Sequence, residues 1–131
     1  MTVRRYFRLP GIRLARFAGL ALSLAMLPGC STEFDPDEAR ADQTIRINLN
    51  ASNRQVNGFS PNPVTVIART RVTWTNMDTT MHQIRSTAGI FEGNLLAPNK
   101  SYSFIISEPG TYRYGCLVPG HSESGVINVT P

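Results

Sequence analysis

Cysteine, histidine and early negative charge are all scarce in this 131-residue chain, and each scarcity excludes something. Two cysteines, Cys30 and Cys116, leave Cys116 no intramolecular disulfide partner except Cys30. Five of the thirteen basic residues (Arg4, Arg5, Arg8, Arg13 and Arg16) and none of the nine acidic ones precede position 30. From Cys30 onward the balance is −1, so the basic character belongs to the leader and a nucleic-acid-binding role is excluded. The longest apolar stretch, Phe17 to Leu27, falls short of the roughly 20 residues that a membrane-crossing helix needs. No stretch sustains helical spacing and no internal repeat occurs, which removes helical bundles and solenoids.

What is present begins with a leader. A basic stretch, an apolar core and Leu27-Pro28-Gly29-Cys30 follow one another as in an export signal. The last four residues resemble the lipobox of bacterial lipoprotein precursors, which implies that Cys30 becomes a lipid-modified first residue of the mature chain. Ser31 after it implies outer-membrane sorting, so the expected address is the periplasm or cell surface, anchored to the membrane by lipid. Arg4-Arg5-Tyr6-Phe7 also resembles a twin-arginine motif, which leaves the export route open. Residues 31–43 are polar and acidic and read as a flexible tether. The expected organisation is a signal peptide over 1–29, the lipidated Cys and tether over 30–43, and one domain over 44–131.

Within that domain the pattern is short, β-branched and often interrupted by Pro, Gly and Asn. Strands are expected at 45–49, 64–67, 71–75, 101–106, 111–116 and 125–130. Segment 82–96 is ambiguous and leaves room for a short helical turn. The expected fold class is all-β, a Greek-key β-sandwich. Trp74, Tyr102, Phe104, Tyr112 and Tyr114 read as packing residues on alternating strand positions.

The chemistry-bearing residues are few. Cys116-Leu-Val-Pro-Gly-His121 ends one strand, and His82 follows another in Trp74-Thr-Asn-Met-Asp-Thr-Thr-Met81-His82. Two imidazoles and one thiolate on adjacent strands match a trigonal His₂Cys copper site, because soft sulfur with borderline nitrogens suits both Cu(I) and Cu(II). Phe59-Ser-Pro-Asn-Pro-Val-Thr-Val, Val72-Thr-Trp-Thr-Asn-Met-Asp and Leu96 through Cys116 extend the match in order. On these residues the chain resembles the cupredoxins, the small blue-copper proteins, over most of 44–131. The resemblance implies one type 1 copper held by His82, Cys116 and His121. It also implies an electron carrier, not an enzyme, that works as a monomer with redox partner proteins of the cell envelope. A copper-delivery or sensing module without redox turnover is the alternative, and zinc hydrolysis is a distant third for want of a general base.

One expected residue is absent. The family usually places Met, sometimes Gln, four or five residues beyond the second His, where this chain has Gly125 and Val126. The open candidates for the axial position are Val126, Glu123 and the backbone of Met81. Glu123, two residues after a ligand, is expected to face solvent. A Val126 site would have a high reduction potential for lack of a fourth donor, and a Glu123 oxygen would give a low one.

Overall fold

The computed structural model describes residues 38–131; the leader, Cys30 and residues 31–37 of the tether lie outside the described residues. Eight strands follow in order: β1 (Ala41–Ile47), β2 (Phe59–Ser60), β3 (Val64–Ile67), β4 (Thr70–Asn76), β5 (Ile84–Ser86), β6 (Ser101–Ile106), β7 (Gly110–Cys116) and β8 (Ser124–Thr130). They form two four-stranded sheets, β2-β1-β4-β6 and β3-β8-β7-β5. Each sheet holds one parallel pair, β1 with β4 and β3 with β8, and is otherwise antiparallel. The chain crosses repeatedly from one sheet to the other, and the all-β sandwich expected from the strand pattern is the observed fold.

Alternation along the strands builds the core. Ile45, Ile47, Val72, Trp74 and Ile106 face inward from one sheet, and Ile84, Tyr114, Ile127 and Val129 from the other. Trp74 is the centre of this layer, stacked on Tyr102 at 5.7 Å between ring centroids and edge-on to Tyr114 at 5.4 Å. Gly125 pairs with Tyr114 across β7 and β8, and any side chain at 125 would overlap the phenol ring. Each large apolar side chain so buried contributes roughly 1.5–3 kcal/mol. The core, not the loops at its ends, therefore carries most of the stability.

Two expectations are corrected. The first strand starts at Ala41, inside the stretch read as tether, because its backbone pairs with β4 from Ala41–Thr70 onward whatever the polarity of its side chains. Segment 82–96 contains no helical turn. It holds β5 and two isolated bridges, His82–Leu96 and Arg85–Glu92, since pairing to β7 supplies partners that the local sequence does not announce. Two short 3-10 turns, Ala51–Asn53 and Gln55–Gly58, fill the connection between β1 and β2. Among the described residues no helix is long and apolar enough to cross a membrane.

Candidate metal centre

Cys116 closes β7 and is paired with Ile84, the first residue of β5, so the sheet fixes its backbone. His82 stands two residues before β5, held by a double backbone bridge to Leu96 (2.7 and 3.1 Å). His121 ends a tight loop in which its own amide donates to the Val118 carbonyl at 3.1 Å, and Gly120 takes φ of 83°, a conformation that favours glycine. These three segments, with Glu123 two residues beyond His121, bring one donor atom each from His82, Cys116, His121 and Glu123 to within 4.8 Å of one another.

The geometry inside the cluster is specific. The Nδ1 atoms of His82 and His121 are 3.3 Å apart, and His121 Nδ1 lies 3.5 Å from Cys116 Sγ. Glu123 Oε1 is 2.5 Å from His82 Nδ1 and 3.4 Å from His121 Nδ1. Two backbone amides, those of Gln83 at 3.3 Å and Val118 at 3.4 Å, donate to Cys116 Sγ. His82 and Glu123 are buried, whereas the His121 side chain retains 13% exposure and Cys116 is half-buried.

Glu123 departs from the expected solvent-facing position. It is buried because Ser122 is tied down, its amide donating to the Ser52 carbonyl at 3.0 Å and its hydroxyl to the same oxygen at 2.8 Å. Gly58 makes the room: a Cβ there would sit 2.5 Å from Glu123 Cβ. Val126 points elsewhere. Val126 is half-buried on the outer face of β8, between the inward-facing Gly125 and Ile127, with its amide donating to Asn62 Oδ1 at 2.9 Å. The Met81 side chain is half exposed, which leaves its backbone carbonyl, beside His82 in sequence, as the group Met81 can offer. Leu117, next to Cys116, is also exposed.

Sequence reasoning also missed the scaffold behind His82. Asn76, fully buried at the end of β4, donates to the carbonyls of Thr80 (2.7 Å) and Leu96 (3.0 Å) and accepts from the Asp78 amide (2.9 Å). Asp78 Oδ2 lies 3.0 Å from His82 Nε2, on the far side of the ring from the cluster. The only local signal is a pair of short polar side chains in Asn76-Met77-Asp78, a composition that favours turns.

In the metal-free protein two carboxylates thus bracket one imidazole. Burial opposes charge on His82, but hydrogen bonding to Cys116, Glu123 and Asp78 overcomes it and lifts the ring from 6.5 to about 10. Burial also pushes Asp78 and Glu123 up. The Asn50 amide and His82 outweigh this at Asp78, and His82 outweighs it at Glu123, so both carboxyls fall below their ordinary values. A raised imidazole stabilises the fold fully below its unfolded value and loses that contribution as pH rises toward 10. The lowered carboxylates stabilise above their ordinary values of 3.8 and 4.5 and lose it as pH falls. The metal-free protein should therefore melt highest between about pH 4.5 and 6.5, with Tm declining toward pH 10. A Tm flat from pH 6 to 10 in differential scanning calorimetry would contradict the bracketed-imidazole geometry.

The donor set suits a soft-to-borderline metal ion: one thiolate, two imidazole nitrogens and one carboxylate oxygen. Glu123 Oε2 is a further sign of fit. It is buried with no hydrogen-bond partner among the described residues, an arrangement that a cation beside it would compensate.

A family model of the cupredoxin-like domain matches residues 19–129. The chain belongs to the cupredoxins. A purple cupredoxin from Nitrosopumilus maritimus shares 27% identity and a TM-score of 0.59, over 71% of this chain and 100% of that one. An amicyanin variant, solved in its reduced form, matches at 21% identity and TM-score 0.56, over 71% of this chain and 86% of its own. A copper-containing nitrite reductase from Thermus scotoductus matches at 19% identity and TM-score 0.54, over 67% of this chain but 22% of its own, so the likeness there is to one part of a larger fold. The last two show the fold alone. No curated protein matches the chain.

Proposed function

We propose that this cupredoxin is a one-electron carrier whose copper is held by His82, Cys116 and His121, with Glu123 as the fourth donor. The observation that carries the reading is the convergence of these four side chains, the carboxylate among them, at one end of the sandwich. Bound copper supplies a couple between Cu(I) and Cu(II). The protein's part is to hold the donors still. Cys116 is pinned by strand pairing and two amides, and His82 by Leu96 and Asp78. Donors that barely move need little rearrangement when charge changes, which is what rapid electron exchange requires. Amicyanin, which shares the fold, has been solved in both reduced Cu(I) and oxidised forms, in keeping with this use of the scaffold.

His121 is the exit for the electron, since its ring alone among the two imidazoles is partly exposed. Exposed Met81, Leu95 and Leu117 adjoin His82, Leu96 and Cys116 in sequence, and we read them as an apolar rim at that end. Such a rim suits brief docking of a redox partner protein. The carrier reading expects a reversible one-electron wave in voltammetry and slow loss of copper to a chelator. Rapid surrender of the metal with no reversible wave would favour copper delivery instead.

We propose further that a lipid on Cys30 tethers this carrier to the membrane of the cell envelope. Support comes from Leu27-Pro28-Gly29-Cys30 and from the polar residues that follow, which separate the proposed lipid from β1. Cys30→Ala should abolish incorporation of labelled fatty acid and leave the precursor unprocessed or cut elsewhere by ordinary signal peptidase. A wild-type protein carrying no lipid would remove the anchor and leave the copper chemistry intact.

A further inference from the structure

Behind the four donors lies a group that touches none of the positions a metal would occupy. Asp78 is buried, and both of its oxygens are saturated. Oδ1 accepts from the amides of Asn50 (3.0 Å) and Thr79 (2.7 Å). Oδ2 accepts from the Ala51 amide (3.2 Å) and the Thr80 hydroxyl (3.1 Å), and it faces His82 Nε2 at 3.0 Å. Thr80 Oγ1 also lies 3.2 Å from that nitrogen, but its hydroxyl hydrogen is directed to Asp78. The carboxylate cannot turn without breaking several of these bonds. Among the described residues its only ion-pair partner is His82.

The two nitrogens of His82 therefore have separate duties. Nε2 is committed as a donor to Asp78, which leaves Nδ1 to present its lone pair to the cluster once its proton is displaced. A carboxylate acceptor strengthens the imidazole as a donor more than a neutral carbonyl would, because negative charge opposes withdrawal of electrons through the N–H. Together with the Cys116 thiolate and Glu123, it places a third anionic side chain at this end of the sandwich.

We propose that Asp78 is a positioning residue of the metal centre, fixing the His82 tautomer and biasing the copper couple toward Cu(II). This rests on the copper reading above. The wild-type protein must first load copper and show a thiolate charge-transfer band; failure there overturns the copper reading and this proposal with it, whereas the Asp78→Asn variant tests the role of Asp78 alone. Asp78→Asn should then keep the band, since all four donors remain. It should lose roughly 10–100-fold in Cu(II) affinity, the usual cost of an outer-shell partner. Cu(I) affinity should fall less, and each tenfold difference between the two raises the midpoint potential by about 59 mV. A folded, copper-loaded Asp78→Asn with wild-type potential and Cu(II) affinity would overturn the proposal. A measurement on the wild type guards against a variant that fails to fold. In nitrogen-15 NMR of the Cu(I) form, His82 Nε2–H should persist as a slowly exchanging proton. Its absence, or protonation at Nδ1 instead, would equally overturn the assignment.

Discussion

Cys116→Ser should abolish the intense visible band of the Cu(II) protein outright and leave the sandwich folded. The band requires a sulfur donor, and Cys116 Sγ is the only cysteine sulfur in the donor cluster. Serine offers an oxygen that stays protonated at neutral pH, so the site loses both its soft donor and one negative charge. Copper affinity should fall by more than the roughly 10–100-fold typical of a lost outer-shell partner. The fold should hold because Cys116 is only half-buried, at the end of β7, and a serine oxygen can accept from the Gln83 and Val118 amides as sulfur does. Away from the packed core such a change stays within about 0.5 kcal/mol. Absorption and calorimetry on the same sample check both halves. A surviving charge-transfer band would exclude Cys116 as the sulfur donor.

Glu123→Gln should raise the midpoint potential by on the order of 170 mV. The substitution keeps the side-chain volume that fits against Gly58 and removes one negative charge beside the metal. A unit charge about 4 Å away at an effective dielectric constant of about 20 is worth about 4 kcal/mol. Oxidised copper carries one more positive charge than reduced copper and loses that much more when the carboxylate goes. With tenfold equal to about 1.4 kcal/mol or 59 mV, the shift follows. Val126→Met is the matched control. Val126 lies on the outer face of β8, so a thioether there should leave spectrum and potential unchanged. Voltammetry of the two variants separates the axial candidates: a shift in Val126→Met with none in Glu123→Gln would reverse the assignment.

The way these residues are encoded explains which of them could be read from the sequence. Cys116 and His121 sit five positions apart on a strand end and its loop, and His82 follows a strand marked by Trp74, so local pattern and spacing announce all three. Glu123 is different. Its inward turn depends on Ser52 holding Ser122, seventy positions away, and on the missing side chain of Gly58. No window around His121 contains either cause. Asp78 is likewise held by amides of the Ala51–Asn53 turn and its preceding Asn50, residues that reach it only in the folded sheet. The sandwich itself was legible because alternation survives in β3, β4 and β8, each with alternate positions buried. The three-residue β5 was not, since a strand so short owes its existence to its neighbour β7.

Titrating Cu(II) into the metal-free protein, followed by visible absorption, tests the four-donor copper site most directly. One equivalent per chain should generate an intense thiolate charge-transfer band that bleaches on one-electron reduction and returns on reoxidation. Binding without that band, or with a band that further equivalents keep increasing, would contradict a single copper held by His82, Cys116, His121 and Glu123.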